Sequence, residues 1–438
     1  MDLPNSLIIP NSGPVDADLR VPGSKSLTNR ALLIAGLAEG RSRLGGMLHS
    51  DDTHYMSKAL EALGVDLEAQ GEWLSVLGAA GSFAPFGGEL YVENAGTAAR
   101  FLTAALGLGQ GPYRLDGNAR MRQRPIGDLI EGLKPLGVEV LDLEGTGCPP
   151  LRVQGKFTGG QVTIRGDKSS QYLSALMLTA PCAGGDTRIE IDGPLVSRTY
   201  VEMTRQIMSD FGAQSHWEGE QVLRVPGRQG YQGRDYEIEG DASSASYFFG
   251  LAAVTGGRVK VRGLQRDSTQ GDLGLIYILE QMGCTLSWES DGVVLQGGPL
   301  KAVEVDMNSM SDVAPTLAVV ALFAEGRTVI RNVANMRIKE CDRITAVCTE
   351  LRKLGAVAEE FEDGLAITGG GNLQGAELET YDDHRMAMCF SLAGLKLPGV
   401  KLLEPACVTK TFPRYFQTLF PLLKPLTEQD RVLVRQMG

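Results

Sequence analysis

The sequence predicts an α/β protein assembled from six copies of one strand–helix–strand–helix–strand–strand unit. Three observations carry this. Six lead-ins, LRVPGSKS, LYVENAGTAAR, VTIRGDKSSQ, YEIEGDASSAS, VEVDMNSMSDVAP and LETYDDHRMA, each place a β-type run before a small or polar N-cap and an Ala-rich helix. The glycines that close these helices, Gly40, Gly111, Gly185, Gly257, Gly326 and Gly399, recur every 69 to 74 residues. A second marker, glycine after a large apolar residue at Gly64, Gly137, Gly212, Gly283 and Gly355, recurs every 71 to 75. Glycine ends helices in many α/β chains, but that habit does not produce equal spacing.

Unit one shows the pattern in order. Asp18–Pro22 reads as a strand, Ser26–Ala38 as an apolar helix, and Arg41–Leu48 as the second strand. In SDDTHYMSKALEALG, Ser50 is a candidate cap, acids fill the first turn, and Leu60 and Leu63 share a face. VDLEAQGEWLSVLG then reads as two short strands turning at Gly71. Units four and five repeat this ending, with Asp291-Gly292 and Asp363-Gly364 expected as two-residue hairpin turns. Unit six lacks the last strands and ends in a helix, Arg414–Leu423, and a polar tail. The first helix of each unit is apolar nearly all round, which predicts burial on every side. If such helices run parallel, their free N–H groups and positive dipole ends share one surface, suited to a multiply anionic ligand.

A chain of 438 residues is expected to form two or three domains. A net charge of −11, with no Lys/Arg run, argues against a nucleic-acid partner. The longest apolar run, Ala314–Ala324, is too short to span a bilayer and contains Pro315. MDLPNSLIIP lacks the basic and apolar regions of a signal peptide. The seven cysteines are scattered without a CxxC pair, as reduced thiols in the cytoplasm would be. Four histidines and no HExxH give no metal-site pattern.

Polar groups at the helix starts repeat by position. First helices offer Lys25, Ser26 and Arg30; Asn94, Gly96, Thr97 and Arg100; Lys168, Ser169, Ser170 and Gln171; Asp241, Ser243 and Ser244; Asp312; and Asp383, His384 and Arg385. Second helices add Arg120, Arg122 and Arg124; Ser197 and Tyr200; Lys339, Glu340 and Arg343; and Lys410. A single Lys or Arg at a turn is ordinarily solvated, and a lone Ser or Asp ordinarily only caps. Joint occurrence at equivalent positions points instead to a cationic site for carboxylates and phosphates. Asp312 and Glu340 stand apart as candidate proton carriers.

The stretches PGSKSLTNRALL, NAGTAAR, RMRQRPIG, GDKSSQY, EGDASSAS, NMRIKECDR and DDHRMAM, in this order over almost the whole chain, resemble the 5-enolpyruvylshikimate-3-phosphate synthase family. The resemblance implies an inverse α/β barrel fold: two similar domains of three βαβαββ units around buried parallel helices, one about 23–239, the other 1–22 plus 240–438. It implies a cleft site that closes over the substrates, a monomer, no cofactor and no metal. Its substrates would be shikimate 3-phosphate and phosphoenolpyruvate, with glyphosate competing with the latter. Lys25, Ser26 and Arg30 would contact both substrates, Ser26 and Arg30 on the shikimate carboxylate. Ser169, Ser170 and Ser197 would hold the 3-phosphate, and Gln171 and Tyr200 would line the ring. Asp312, Asn335 and Lys339 would take hydroxyls and phosphate. Lys25, Arg124, Gln171, Arg343, Arg385 and Lys410 would grip phosphoenolpyruvate, with Asn94 and Gly96 beside it.

In the implied reaction Glu340 protonates the methylene, Asp312 takes the 5-hydroxyl proton, and Lys25 assists the departing phosphate. The chain departs from many members at Phe101, where proline is usual, and at Met336, where tryptophan is. The sister transferase acting on UDP-N-acetylglucosamine carries a cysteine in the loop equivalent to Gly117–Gly127, absent here, and Lys-Asn in place of Lys25-Ser26. A non-catalytic anion-binding scaffold would be expected to have lost these charges. An RNA 3′-phosphate cyclase fits neither the acidic charge nor the lack of a nucleotide-attacking histidine.

Overall fold

Two strands sit in sheets other than those their place in the sequence suggests. In the structure, a computed structural model describing residues 3–425, Asp16–Arg20 runs parallel to Arg258–Arg262 of unit four. Unit four's own lead-in, Asp235–Glu237, runs parallel to Arg41–Gly45 of unit one. Asp18–Pro22, by local pattern the first strand of unit one, thus pairs in the sheet of unit four, and the two lead-ins are exchanged. Both are short extended runs ending at a polar turn, so local pattern fixes the state but not the partner. The chain divides accordingly into two compact units, one of residues up to Pro22 with those from Gly240 onward, the other Gly23–Glu239.

Gly23–Glu239 holds three four-stranded sheets of one topology. Glu89–Tyr91 pairs in parallel with Tyr113–Asp116, which pairs antiparallel with Leu151–Gly155, and that with Val138–Asp142. The other unit repeats this twice. Its third sheet has three strands: Glu377–Leu378, Lys401–Leu403, and the N-terminal Ser6–Ile8 on the free edge of the latter. Unit six thus borrows a strand from the start of the chain.

The buried helices are as apolar in place as in sequence. Every residue of Gly96–Ala105, Ala242–Thr255, Ala314–Val320 and His384–Gly394 is buried. Internal backbone hydrogen bonding lets an apolar helix sit there without orphaned polar groups. Two contacts give their direction. Arg385 Nη2 lies 3.5 Å from Ser243 Oγ, and seven residues along each helix a Cβ on Gly250 would stand 2.5 Å from Leu392 Cδ1. Equal advance means that Ala242–Thr255 and His384–Gly394 run parallel, so the N-terminal ends of these two helices lie together. Gly250 is what permits the approach.

Outer helices end as expected. Gly64, Gly137, Gly212, Gly283 and Gly355 all have φ between 86° and 117°, the left-handed stop a Cβ would disfavour. The hairpins differ by one residue. Glu289 pairs with Gly292 and Phe361 with Gly364, so the loops are Ser290-Asp291 and Glu362-Asp363. The glycines begin the returning strands. A Cβ there would meet Val261 O at 2.2 Å and Ile330 O at 2.1 Å, so close backbone approach, not turn conformation, requires them. The expected terminal helix is also shorter: Tyr415–Leu419 is α-helical and Phe420–Leu422 a 3₁₀ turn opened by Pro421. The polar tail lies outside the described residues.

Candidate active site

In Gly23–Glu239 the helix starts gather cations. Ser24 caps Lys25–Leu37, and Lys25 Nζ at its first position lies 3.4 Å from Asp52 Oδ2. One turn on, Arg30 is only 2% exposed. It donates to Thr204 Oγ1 at 2.8 Å, to Ser174 Oγ and the Tyr200 carbonyl at 3.2 Å, and to the Ser26 carbonyl at 3.0 Å. These four partners are hydroxyls and carbonyls, none of them a carboxylate. Burial pulls the guanidinium down to about 10, still cationic near neutrality.

A second cluster forms at Gly96–Ala105. Arg124, 5% exposed, donates to Asn94 O at 3.0 Å and Asn94 Oδ1 at 2.9 Å. A Cβ on Gly96 would stand 2.5 Å from Arg124 Nη2, so glycine leaves room for the guanidinium. Ser169 caps Ser170–Thr179, and Gln171 Nε2 reaches Thr97 Oγ1 at 3.5 Å, which joins two helix starts. Ser197 stands at the N-cap position of Arg198–Asp210 in a left-handed conformation, φ 54°, and Tyr200 follows in its first turn. Arg122 turns outward to Asp116 and Glu144, and Arg120 donates to Gln123.

In the other unit the acids and cations interlock. Arg343, 1% exposed, begins helix Arg343–Lys353. Its Nη1 donates to Asp312 Oδ1 at 3.1 Å, Nη2 to Glu340 Oε2 at 2.7 Å, and Nε to Asp383 Oδ2 at 2.7 Å. Burial opposes the charge, but Asp383, Glu340 and Asp312 more than offset it and hold the guanidinium above its ordinary range. Arg385 Nη2 takes Asp312 Oδ2 at 2.7 Å, and Lys339 Nζ lies 3.5 Å from Asp312 Oδ1. Lys410 Nζ lies 3.4 Å from Glu340 Oε1. Asn335 Nδ2 donates to Ser311 Oγ at 3.2 Å, beside Asp312 in sequence. Asp312, Asn335, Lys339, Glu340, Arg343, Arg385 and Lys410, spread over a hundred residues of sequence, thus form one neighbourhood. Three carboxylates share one guanidinium, and two of them, Asp312 and Glu340, also meet Arg385, Lys339 and Lys410, an arrangement of acids and cations that can bind anions and exchange protons with them.

A model of the EPSP synthase (3-phosphoshikimate 1-carboxyvinyltransferase) family matches residues 9–419. The chain belongs to that family. It is 48% identical over 419 residues to the 3-phosphoshikimate 1-carboxyvinyltransferase of Erwinia tasmaniensis, covering 95% of this chain and 98% of the relative. With the Escherichia coli SMS-3-5 protein of the same name it shares 48% over 418 residues, 94% and 98% of the two chains. The solved EPSP synthase of Acinetobacter baumannii superposes with a TM-score of 0.81 at 26% identity, over 95% of this chain and 98% of that one.

Three residues beside these family motifs escaped the sequence reading. Asp383 appeared only as a helix-start charge, yet it caps the Arg385 N–H at 2.9 Å and clamps Arg343. Asp52 read only as a first-turn acid. Asp272, in QGDLG, gave no signal. It is 4% exposed and accepts from Ser243 Oγ, which also meets Arg385. Phe101, the departure noted above, is fully buried with its ring centroid 5.1 Å from Arg30 Cζ, a cation–π contact proline would not make.

Asp272 gives a pH prediction. Burial, then the charge of Asp312, pushes its carboxyl from 3.8 up to about 6. The folded state therefore holds this proton more tightly than the unfolded chain, and its share of stability falls as pH rises between those values. Asp272→Asn removes the titration. Urea unfolding should show a gain of up to about 3 kcal/mol at pH 8, vanishing near pH 4. An equal gain at both pH values would assign the effect to packing instead.

Proposed function

We propose that this protein transfers the carboxyvinyl group of phosphoenolpyruvate to the 5-hydroxyl of shikimate 3-phosphate, releasing phosphate, in the shikimate route to aromatic amino acids. The observation that carries this reading is the pairing of Asp312 and Glu340 on the one guanidinium of Arg343. A site that only grips anions gains nothing from two acids. An addition–elimination at an enol phosphate needs two proton carriers beside fixed cations.

Asp312 takes the 5-hydroxyl proton as that oxygen bonds to C2 of phosphoenolpyruvate, and Glu340 protonates C3. The resulting tetrahedral adduct then returns a proton from C3 to Glu340, and the C–H electron pair forms the C2=C3 double bond. The C2–O bond to phosphate breaks, its electron pair leaves with the phosphate, and Lys25 assists that departure. Arg30 and Ser26 receive the shikimate carboxylate, which supplies Arg30 with the anionic partner it otherwise lacks among its hydroxyl and carbonyl contacts. Ser169, Ser170 and Ser197 take the 3-phosphate, with Gln171 and Tyr200 along the ring and Asn335 and Lys339 completing that substrate's contacts. Arg124, Arg343, Arg385 and Lys410 take phosphoenolpyruvate beside Asn94 and Gly96. Two anions held among fixed cations are brought into reach without solvent reorganisation, which supplies much of the acceleration. We take the protein to act as a cytoplasmic monomer on small molecules. Seven unpaired cysteines support a reducing compartment, and no described helix is long and apolar enough to cross a membrane.

Phosphate release from phosphoenolpyruvate, measured with shikimate 3-phosphate and separately with UDP-N-acetylglucosamine, tests the reading. Release with the first alone is expected. Release with the second alone would keep the mechanism and overturn the shikimate contacts. No release with either would leave an anion-binding scaffold.

Gly96→Ala gives a sharper check on the phosphoenolpyruvate contacts. The new methyl would stand 2.8 Å from Arg124 Cζ, and Arg124 is boxed in by Asn94. The guanidinium must shift. KM for phosphoenolpyruvate should rise about 10-fold or more, as losing one charge-assisted contact implies, with little change in KM for shikimate 3-phosphate. Equal rises in both would detach Arg124 from the role.

A further inference from the structure

The turn that delivers Asp383 has a backbone its residues do not suit. Thr380–Asp383 closes through the Asp383 N–H donating to Thr380 O at 2.9 Å. Its central residues, Tyr381 and Asp382, have φ of +57° and +51°. Positive φ at both positions belongs to the mirror-image turn that favours Asn-Gly. Aspartate tolerates it, whereas a bulky aromatic does so poorly. The tyrosine hydroxyl supplies a reason for the choice. It donates to Glu350 Oε1 at 2.6 Å.

Glu350 is fully buried on helix Arg343–Lys353. Its Oε2 accepts from the Glu379 N–H at 3.1 Å and pairs with Lys353 Nζ at 2.8 Å. One buried carboxylate therefore holds both the segment before the turn and the turn itself. Asp383, the turn's last residue, then grips Arg343 Nε at 2.7 Å and Nη2 at 3.1 Å. The ring is closed: the helix holds the turn through Glu350, and the turn holds the helix's first residue through Asp383.

We infer that Glu350 and Tyr381 are a positioning pair that fixes the Thr380–Asp383 turn and, through Asp383 and Arg343, sets the placement of Asp312 and Glu340. The consequence for turnover rests on the reaction proposed above; the consequence for the turn does not.

Tyr381→Phe in the full chain keeps the ring and the unfavourable backbone but removes the restraint. Below the unfolding range, kcat for phosphate release should fall about 10-fold, as expected for one lost hydrogen bond to a carboxylate, with both KM values within about 2-fold. Glu350→Gln, which leaves one acceptor oxygen for the three donors Tyr381, Glu379 and Lys353, should show a smaller fall of the same kind. Independently of activity, the Asp383 and Arg385 amides should exchange hydrogen at least about 10-fold faster in Tyr381→Phe, with the amides of Ala242–Thr255 unchanged. Unchanged exchange at Asp383 and Arg385 overturns the inference whatever the activity. Faster exchange with kcat unchanged, in a protein that turns over, also overturns it, because the pair then serves stability alone. If the unaltered protein releases no phosphate with either acceptor, the proposed reaction is what fails, and the exchange result still decides the inference.

Discussion

Replacing Glu340 with glutamine is expected to lower kcat by about 10²- to 10⁴-fold, the span of a removed general acid, while KM for both substrates stays within about 3-fold. Glutamine has the same shape and keeps an acceptor for Arg343 Nη2, which donates to Glu340 at 2.7 Å. It has no proton to give at C3. The local frame should survive the change. Asp342 caps the following helix through the Thr345 N–H at 3.1 Å, and Arg337 holds Asp342 from the other side at 2.8 Å. Steady-state phosphate release and calorimetric substrate binding together separate the cases. Weak binding with normal kcat would make Glu340 a binding residue only. Near-normal values of both would pass the methylene proton to another acid, and Asp312→Asn would be the next variant to measure.

What the sequence disclosed follows from how local each feature is. The repeat was legible because its markers are local backbone demands. Gly64 and its equivalents end helices in the left-handed conformation, and such a demand is met within a few residues. The buried helices were legible because ALLIAGLA or SYFFGLAAV leaves no polar face to expose. Partner choice was not legible. Asp16–Arg20 and Asp235–Glu237 are short strands of similar character, and only the assembled sheets separate their addresses. The hairpin register failed for a related reason: Gly292 and Gly364 answer a neighbouring strand's carbonyl, which is invisible in a window of local sequence.

In the site, residues at repeated helix starts could be found by position, and family motifs supplied their expected roles. Asp272, Glu350 and Tyr381 could not be found that way. Each acts across the fold on a residue far away in sequence. Arg122 shows the opposite error, since a motif neighbour of Arg124 pairs with the buried carboxylate of Asp116 instead.

Arg343→Met should be the most destabilising of the changes considered. The guanidinium is 1% exposed and touches three carboxylates, Asp383 at 0%, Glu340 at 7% and Asp312 at 15% exposure. Methionine fills part of the volume but leaves these charges facing one another without their common partner. Removing one member of a buried ion cluster costs about 3–5 kcal/mol, which corresponds to a fall in Tm of roughly 10 °C for a unit of this size. Activity should be lost as well, but that alone would not separate charge from packing. The double variant Arg343→Met/Asp383→Asn does. If uncompensated charge is the cause, neutralising Asp383 removes part of the repulsion, and thermal unfolding should show about 1–2 kcal/mol recovered relative to Arg343→Met. If the loss comes from packing around the aliphatic part of Arg343, the second change should add its own cost instead, because Asp383 also caps the Arg385 N–H. The sign of the difference between double and single variants therefore decides whether Arg343 is held in place chiefly as the counter-ion of three acids.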